Sequence, residues 1–329
     1  MDALDLALVR GLYSDRIWVP WGIDPRITVG QVGRQVGLGR TSVWSRIRHW
    51  EKSGFFRPYE IRPNYRLFGV GLRRADLHIS DPVDAKNVMD ELELVDGVTS
   101  AWVGFGDTDS TESVERVSVS FVSDHPTAVD RRMRILRRLS TRRRVDGPYA
   151  YRVPTVSRPP TPLDWRIMAI LRANPGASLS AMARMIGITT RTLVRHRDAL
   201  LDSRALWYFP LFDWSLHPSV NLRLYWEEAR GLAGLMRAIE ARFPHYLPMS
   251  LDDMGYRRQG EDGPILLGVR VPATSPDAVQ DIMIDLAQIP GIVRVRSDFQ
   301  GPWRYYSRWV EQELTGQLAN LLMRYVPNA

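Results

Sequence analysis

Between Thr28 and Phe56 the apolar positions recur with a helical period, and the same spacing returns 150 positions later. In TVGQVGRQVGLGRTSVWSRIRHWEKSGFF, Val29, Val32 and Val36 fall at i, i+3 and i+7, one face of a helix. Gly37 follows, where a left-handed C-cap costs glycine little, and Leu38-Gly39 makes a turn. Thr41 or Ser42 then caps a second helix that buries Val43, Ile47 and Trp50. The later copy is SLSAMARMIGITTRTLVRHRDALLDSRAL, Ser178 to Leu206. Its Leu179, Met182, Ile186, Ile188, Leu193, Leu200 and Leu206 match Val29, Val32, Val36, Leu38, Val43, Trp50 and Phe56 without a gap. Identity is thin, with Arg34/Arg184, Gly37/Gly187 and Ser53/Ser203 shared, so it is the pattern that repeats.

Between and after the copies the period changes. Leu72–Ser80, Val98–Phe105, Glu115–Val122 and Tyr149–Val156 read as strands, and Pro82–Leu94 and Thr127–Leu139 as helices. The order β-α-β-β-α-β is the split-βαβ, ferredoxin-like arrangement. A second round is predicted from strands at Val220–Trp226, Tyr246–Asp252, Pro264–Val271 and Gly291–Phe299 and helices at Leu232–Phe243 and Pro276–Gln288. Arg308–Tyr325 adds an amphipathic helix with no counterpart after the first round, suited to covering an apolar surface of this chain or of a partner. SRPPTP, Ser157–Pro162, reads as a semi-rigid linker where the repeat requires a junction.

The outward positions of the second helix in each copy carry the candidate chemistry. Arg40, Thr41, Ser42, Ser45, Arg46 and His49 in the first copy, and Thr190, Arg191, Thr192, Arg195 and His196 in the second, present hydroxyls and cations at a helix start. Such a set suits phosphate contacts and bidentate reading of base edges in a major groove. A solvated basic face gives the same pattern on one copy; the duplication favours recognition. In this frame GLGRTSVWSRIRHWEKSGFF resembles the helix-turn-helix of the leucine-responsive regulator (Lrp/AsnC) family through Gly37, Leu38, Ser42, Val43, Arg46, Ile47, Glu51, Gly54 and Phe56. LDWRIMAILRANPGAS before the second copy resembles that family's opening helix and Asn-Pro turn; the first copy's counterpart is Leu4–Leu12 at an offset of 159, so about nine extra residues fall within Tyr13–Ile23, a stretch that holds Trp18 and Trp21 beside Arg16. Two family positions are broken in the second copy: Arg197 stands where Ile47 does, and Arg204 where Gly54 does. These predict a rotated helix or a different docking, and they motivate the alternative of a ligand sensor or assembly subunit that retains helix-turn-helix units without binding DNA.

The resemblance implies an α+β chain: winged helix-turn-helix units at 1–60 and 163–213, ferredoxin-like βαββαβ units at 66–156 and 218–300, the linker at 157–162 and a C-terminal helix at 304–326. It implies a sequence-specific transcriptional regulator that binds double-stranded DNA, with two copies fused and the sheet units holding the two heads at a fixed separation. It implies a homo-oligomer joined through the ferredoxin-like sheets and the C-terminal helix. It also implies an effector, an amino acid or other small molecule, in a Gly-rich turn that VGFGDTD resembles through Gly104, Gly106 and Asp107. A Gly- and Asp-rich turn is equally the ordinary connection between two strands.

Composition modifies this picture modestly. The net charge is +7 and the pI about 9.8, carried almost wholly by arginine, since Lys52 and Lys86 are the only lysines. A basic balance favours nucleic acid as a partner. Arginines crowd Arg131–Arg144, where Val129, Met133 and Leu136 fall on one helical face; the other face reads as a solvated back, a phosphate-touching patch or a subunit contact. With no cysteine there is no disulfide and no thiolate chemistry. No apolar run is long enough to span a membrane and the N-terminus shows no basic leader, which predicts a cytoplasmic protein; none of the six histidines pairs with another at metal-ligand spacing, which predicts no metal, and no other cofactor is expected. The sirohaem decarboxylase group shares the two-part architecture, and the resemblance there implies histidines and tyrosines near the second strand of the sheet unit. The first copy has TSAWVGFG in that place and the second only His245-Tyr246. No catalytic constellation stands out, so the sequence predicts a protein that is not an enzyme.

Overall fold

The computed structural model describes residues 3–12, 25–26, 28–105, 115–151, 153–212, 216, 219–226, 232–243, 247–249, 265–272 and 275–325. The proposed insertion, Gly106 and Asp107, and His245-Tyr246 lie outside them.

The first head is α1 (Ala3–Leu12), α2 (Val29–Gln35) and α3 (Arg40–Ser53), followed by strand β1 (Phe56–Pro63). Thr28 caps α2 and closes a capping box with Gln31. Neither Thr41 nor Ser42 caps α3; Gly39 occupies that place with no side-chain bond, and the helix starts at Arg40. The second head is α6 (Pro162–Ala173), α7 (Leu179–Met185), α8 (Thr190–Asp202) and β6 (Leu206–Phe212). Val43, Ile47 and Trp50 are buried in α3 as their spacing predicts, and Leu193 and Leu200 in α8.

The broken family positions neither rotate α8 nor displace it. Arg204 takes the left-handed conformation itself, φ 60°, where Gly54 has φ 82°. Arg197 is buried, its guanidinium folded onto Asp198 with Nε to Oδ1 at 2.9 Å. A left-handed non-glycine residue costs about 1 kcal/mol. Arg204 is exposed, and the bond its carbonyl accepts from Asn64 needs no side chain. Arg204→Gly is therefore expected to stabilise the protein by about 0.5–1 kcal/mol, read as a raised Tm in calorimetry.

The strands after the helices pair with each other rather than within their own heads. β1 and β6 form a two-stranded antiparallel ribbon, Phe56 opposite Phe212 and Pro63 opposite Leu206. One apolar core runs through both heads, from Val32, Val43 and Trp50 to Met168, Leu193 and Leu200. Phe212 packs 5.2 Å from both Phe55 and Phe56. The heads are thus joined directly, where the sequence predicts a separation set by the sheet units alone. The C-terminal helix α11 (Arg308–Tyr325) seals this core from the same chain: Trp309 lies 6.1 Å from Tyr65 and 5.5 Å from Phe68.

The sheet units are β2 (Gly71–Ile79), α4 (Pro82–Glu91), β3 (Val98–Phe105), β4 (Glu115–Ser123), α5 (Pro126–Leu139) and β5 (Val145–Ala150), then β7 (Ser219–Trp226), α9 (Leu232–Arg242), β8 (Leu247–Met249), β9 (Ile265–Pro272), α10 (Pro276–Ala287) and β10 (Ile292–Tyr305). They form one eight-stranded sheet, β5-β2-β4-β3-β10-β7-β9-β8. β3 of the first unit pairs antiparallel with β10 of the second, Trp102 opposite Trp303. The last strand of the first unit begins at Val145, earlier than the predicted Tyr149. Gly147-Pro148 sits inside it, tolerated because β5 is an edge strand whose proline nitrogen owes nothing to a neighbour. β10 runs on to Tyr305 past Gly301-Pro302 because a bulge between Gln300 and Trp303 absorbs them.

Strand alternation fixes which side the helices take. Ala75, Leu77 and Ile79 of β2 face the core with Val88, Leu92, Met133 and Leu136. Leu222 and Leu224 of β7 face Leu235, Ile239 and Leu286. On β10, Val295 packs against the second unit's core while Arg304 pairs with Asp90 of α4, so the helices of both units lie on one side of the sheet. The other side carries Arg74, Asp76, His78, Ser118 and Trp102.

Candidate functional site

The two head helices and the helix-free face of the sheet are the candidate sites. On α3, Arg40, Thr41, Ser42, Ser45 and His49 are exposed; on α8, Thr190, Arg191 and Arg195 are. The remaining three predicted residues turn inward. Thr192 is half-buried, its backbone N–H donating to Oγ1 of the cap Thr189 at 3.1 Å. Arg46 is half-buried and its Nη1 donates to Asp5 at 2.5 Å. His196, at the position equivalent to Arg46, pairs through Nδ1 with Asp164 at 2.7 Å. Asp5 and Asp164 are themselves equivalent, each following a leucine at the start of its opening helix. The outward placement predicted for Arg46 and His196 is thus corrected: each ties the last helix of its head to an aspartate of that head's opening helix.

Asp164 is fully buried. It accepts from the Thr161 backbone N–H at 2.8 Å, the Thr161 hydroxyl at 2.9 Å and Arg158 at 3.0 Å, besides His196. Burial pushes its carboxyl up, but those donors outweigh it and hold the group below its ordinary range.

The predicted effector turn is not assembled among the described residues. Gly104 is buried near the end of β3, and Gly106 and Asp107 fall outside the description.

The helix-free face is more densely functionalised than the sequence pattern suggests. Arg74 spans Asp76, Nε to Oδ1 at 2.9 Å and Nη2 to Oδ2 at 3.1 Å, and reaches Ser118 Oγ at 3.0 Å. Its guanidinium lies 4.8 Å from the centre of the Trp102 ring. His78, one step along β2, pairs through Nε2 with Asp146 at 2.8 Å, and its Nδ1 has no hydrogen-bond partner among the described residues. The bond with His78 holds the Asp146 carboxyl below its usual range, with Arg144 adding to the effect. Arg116 stands opposite His78 in the register. Beyond Tyr305, on which the Arg62 guanidinium stacks at 4.3 Å, the face continues to Arg294 and Arg296, about 6 Å from the Tyr225 ring centre. Neither His78 nor these arginines is a predicted site residue. The signal was present in LRRADLHI, where charged residues at 74, 76 and 78 alternate with apolar ones at 75, 77 and 79. Alternation by itself reads as a solvated outer face; here Arg74, Asp76 and His78 are all buried.

Neither a protein-family model nor a curated protein matches the sequence. Among solved structures, the chain is similar to the crystal structure of the siroheme decarboxylase NirDL, over 97% of this chain and 99% of that one, at 14% identity and a TM-score of 0.51. The same decarboxylase in co-complex with an iron-uroporphyrin III analogue aligns over 96% of this chain and 100% of that one, at 12% identity and a TM-score of 0.48. The leucine response regulatory protein LrpA of Mycobacterium tuberculosis covers 43% of this chain and 86% of its own, at 22% identity and a TM-score of 0.28. The likeness to NirDL shows the fold: winged helices and ferredoxin-like units repeated along the whole chain. It also overturns the expectation of a protein that is not an enzyme, because the architecture shared from end to end is that of an enzyme.

Proposed function

We propose that this protein is an enzyme that binds a carboxylate-rich iron tetrapyrrole of the siroheme class and decarboxylates it. The observation that carries the reading is the likeness to a siroheme decarboxylase over the full length of both chains. The helix-free face fits such a substrate chemically. Guanidiniums at Arg116, Arg294 and Arg296 match carboxylates in charge and fork geometry, and half-buried Tyr225 sets an aromatic ring beside the last two. Loss of CO2 from an acetate side chain leaves the electron pair of the broken C–C bond on the methylene carbon, which takes up one proton and becomes a methyl group. No oxidant or reductant is consumed. His78, oriented by Asp146, is the residue we assign to deliver that proton.

Titration of the anaerobic protein with siroheme, and separately with iron-uroporphyrin III, is expected to give a saturable shift of the visible bands with a Kd on the order of micromolar. Incubation with siroheme is expected to give products lighter by CO2 in mass spectra. A titration without saturation would sink the reading.

A second reading, a sequence-specific DNA-binding regulator of Lrp/AsnC type, has one observation of its own: Arg40, Thr41, Ser42, Ser45 and His49 remain exposed at the start of α3. Anisotropy titration against genomic fragments tests it. Specific binding that falls steeply with salt and is lost in Arg40→Ala supports it; binding unchanged by that substitution removes α3 as a reader. Among the described residues no helix is long and apolar enough to cross a membrane.

A further inference from the structure

The second helices of the two sheet units are equivalent residue for residue, yet their outer faces carry opposite charge. α5 and α10 both begin with a capping residue and proline, His125-Pro126 and Ser275-Pro276, and their buried positions coincide: Val129 with Val279, Leu136 with Leu286. Outward, α5 has five arginines against one aspartate, while α10 has three aspartates and no basic residue. Arg132 is used at home, its Nε donating to the Asp96 carbonyl at 2.9 Å and its guanidinium lying over Gly97. Arg131, Arg134, Arg137 and Arg138 are exposed. On α10, Asp277 and Asp281 are exposed, and Asp285 is half-exposed with Arg242 at 3.4 Å. The first helices invert in the opposite sense: α4 exposes Asp90 and Glu91 against Lys86, and α9 exposes Arg237 and Arg242.

We propose that α5 docks on α10 of another copy of this chain, and α10 on α5. Both helices lie on the same side of the eight-stranded sheet, so a twofold axis parallel to the strands, between the stacked layers, would place α5 of each copy on α10 of the other and close a dimer. Arg131, Arg134 and Arg138 fall along one stripe of about 10 Å, and Asp277, Asp281 and Asp285 along one of about 12 Å, so the two rows match in length. Ile284, 52% exposed between Asp281 and Asp285, gives the arginine stems an apolar surface to lie on. A contact of this kind uses the helix side of the sheet and leaves the arginine-lined opposite face, and the proposed chemistry there, untouched.

Sedimentation velocity of the full chain tests it. The parent is expected to self-associate in low salt and to dissociate in high salt, as screening over about 10 Å or less removes the attraction. Arg131→Glu/Arg138→Glu, and separately Asp277→Arg/Asp281→Arg, are each expected to weaken self-association at least about tenfold, since each sets like charge against like. An equimolar mixture of the two variants is expected to associate again, because each reversed face then meets its opposite. A parent that stays monomeric at low salt, variants that associate like the parent, or a mixture that stays apart would each overturn the proposal. So would an α5 variant that loses DNA binding while sedimenting as the parent does.

Discussion

Asp164→Asn is expected to destabilise the protein by about 3 kcal/mol and to lower Tm by roughly 4 °C. The carboxylate has no exposed surface and collects four donors, from Thr161 twice, Arg158 and His196. An amide in the same place keeps one oxygen and turns an NH2 toward groups that donate, so Arg158 loses its counter-charge and at least one donor loses its acceptor. The loss is propagated because Asp164 both closes the capping box of α6 and anchors α8 through His196. The pH dependence separates this from simple misfit. Asp164 titrates below its ordinary value of 3.8 in the folded chain, so its contribution is complete above that value and disappears as pH falls through the lower folded one. Stability of the parent should therefore fall with acidification in that window more steeply than stability of the variant. Denaturant melts at stepped pH read both effects; equal stabilities at neutral pH would show that the buried carboxylate contributes nothing net. Asp5→Asn, in the equivalent place, is expected to cost less, because Arg46 is 32% exposed and regains water when released.

That repeated Leu-Asp device shows what was and was not legible in the sequence. Helix positions were legible because the 3.6-residue period is local, and the two units were legible because the same period returned at a fixed offset. The partners of polar side chains were not. Arg46 and His196 occupy positions that a helical wheel assigns to the outside, and only a helix more than thirty residues earlier turns them inward. The pairing of β1 with β6 was hidden for the same reason: strand partners depend on non-local contacts, and two wings that each look able to fold back were given to each other. Arg204 was misjudged for the opposite reason, since the glycine rule is a matter of about 1 kcal/mol and surrounding bonds can hold an arginine there. The helix-free face was overlooked because alternating charge reads as solvent exposure when nothing in the sequence announces that the face is covered.

His78→Gln is expected to lower the rate of siroheme decarboxylation by about 100- to 10,000-fold while changing tetrapyrrole affinity no more than a few-fold. The asymmetry follows from the roles the site allows. In the proposed function the carboxylates are held by guanidiniums, spread across Arg116, Arg294 and Arg296, so removing one imidazole would leave most of that surface in place. Delivery of a proton to the carbon that loses CO2 needs an acid at a fixed point. His78 meets that need: it sits on a central strand of the first unit, its backbone N–H donates to Arg144 and its carbonyl accepts from Ser140, and Asp146 sets the direction of the ring. Glutamine keeps a donor toward Asp146 and about the same volume, so the strand and its hydrogen bonds survive the change. Asp146→Asn is expected to act in the same direction but less severely, by releasing the ring rather than removing it. A histidine variant that turns over at the parental rate would move the acid elsewhere on the face, with Tyr151, which shares a hydrogen bond with Ser120 at 3.2 Å, the next group to test.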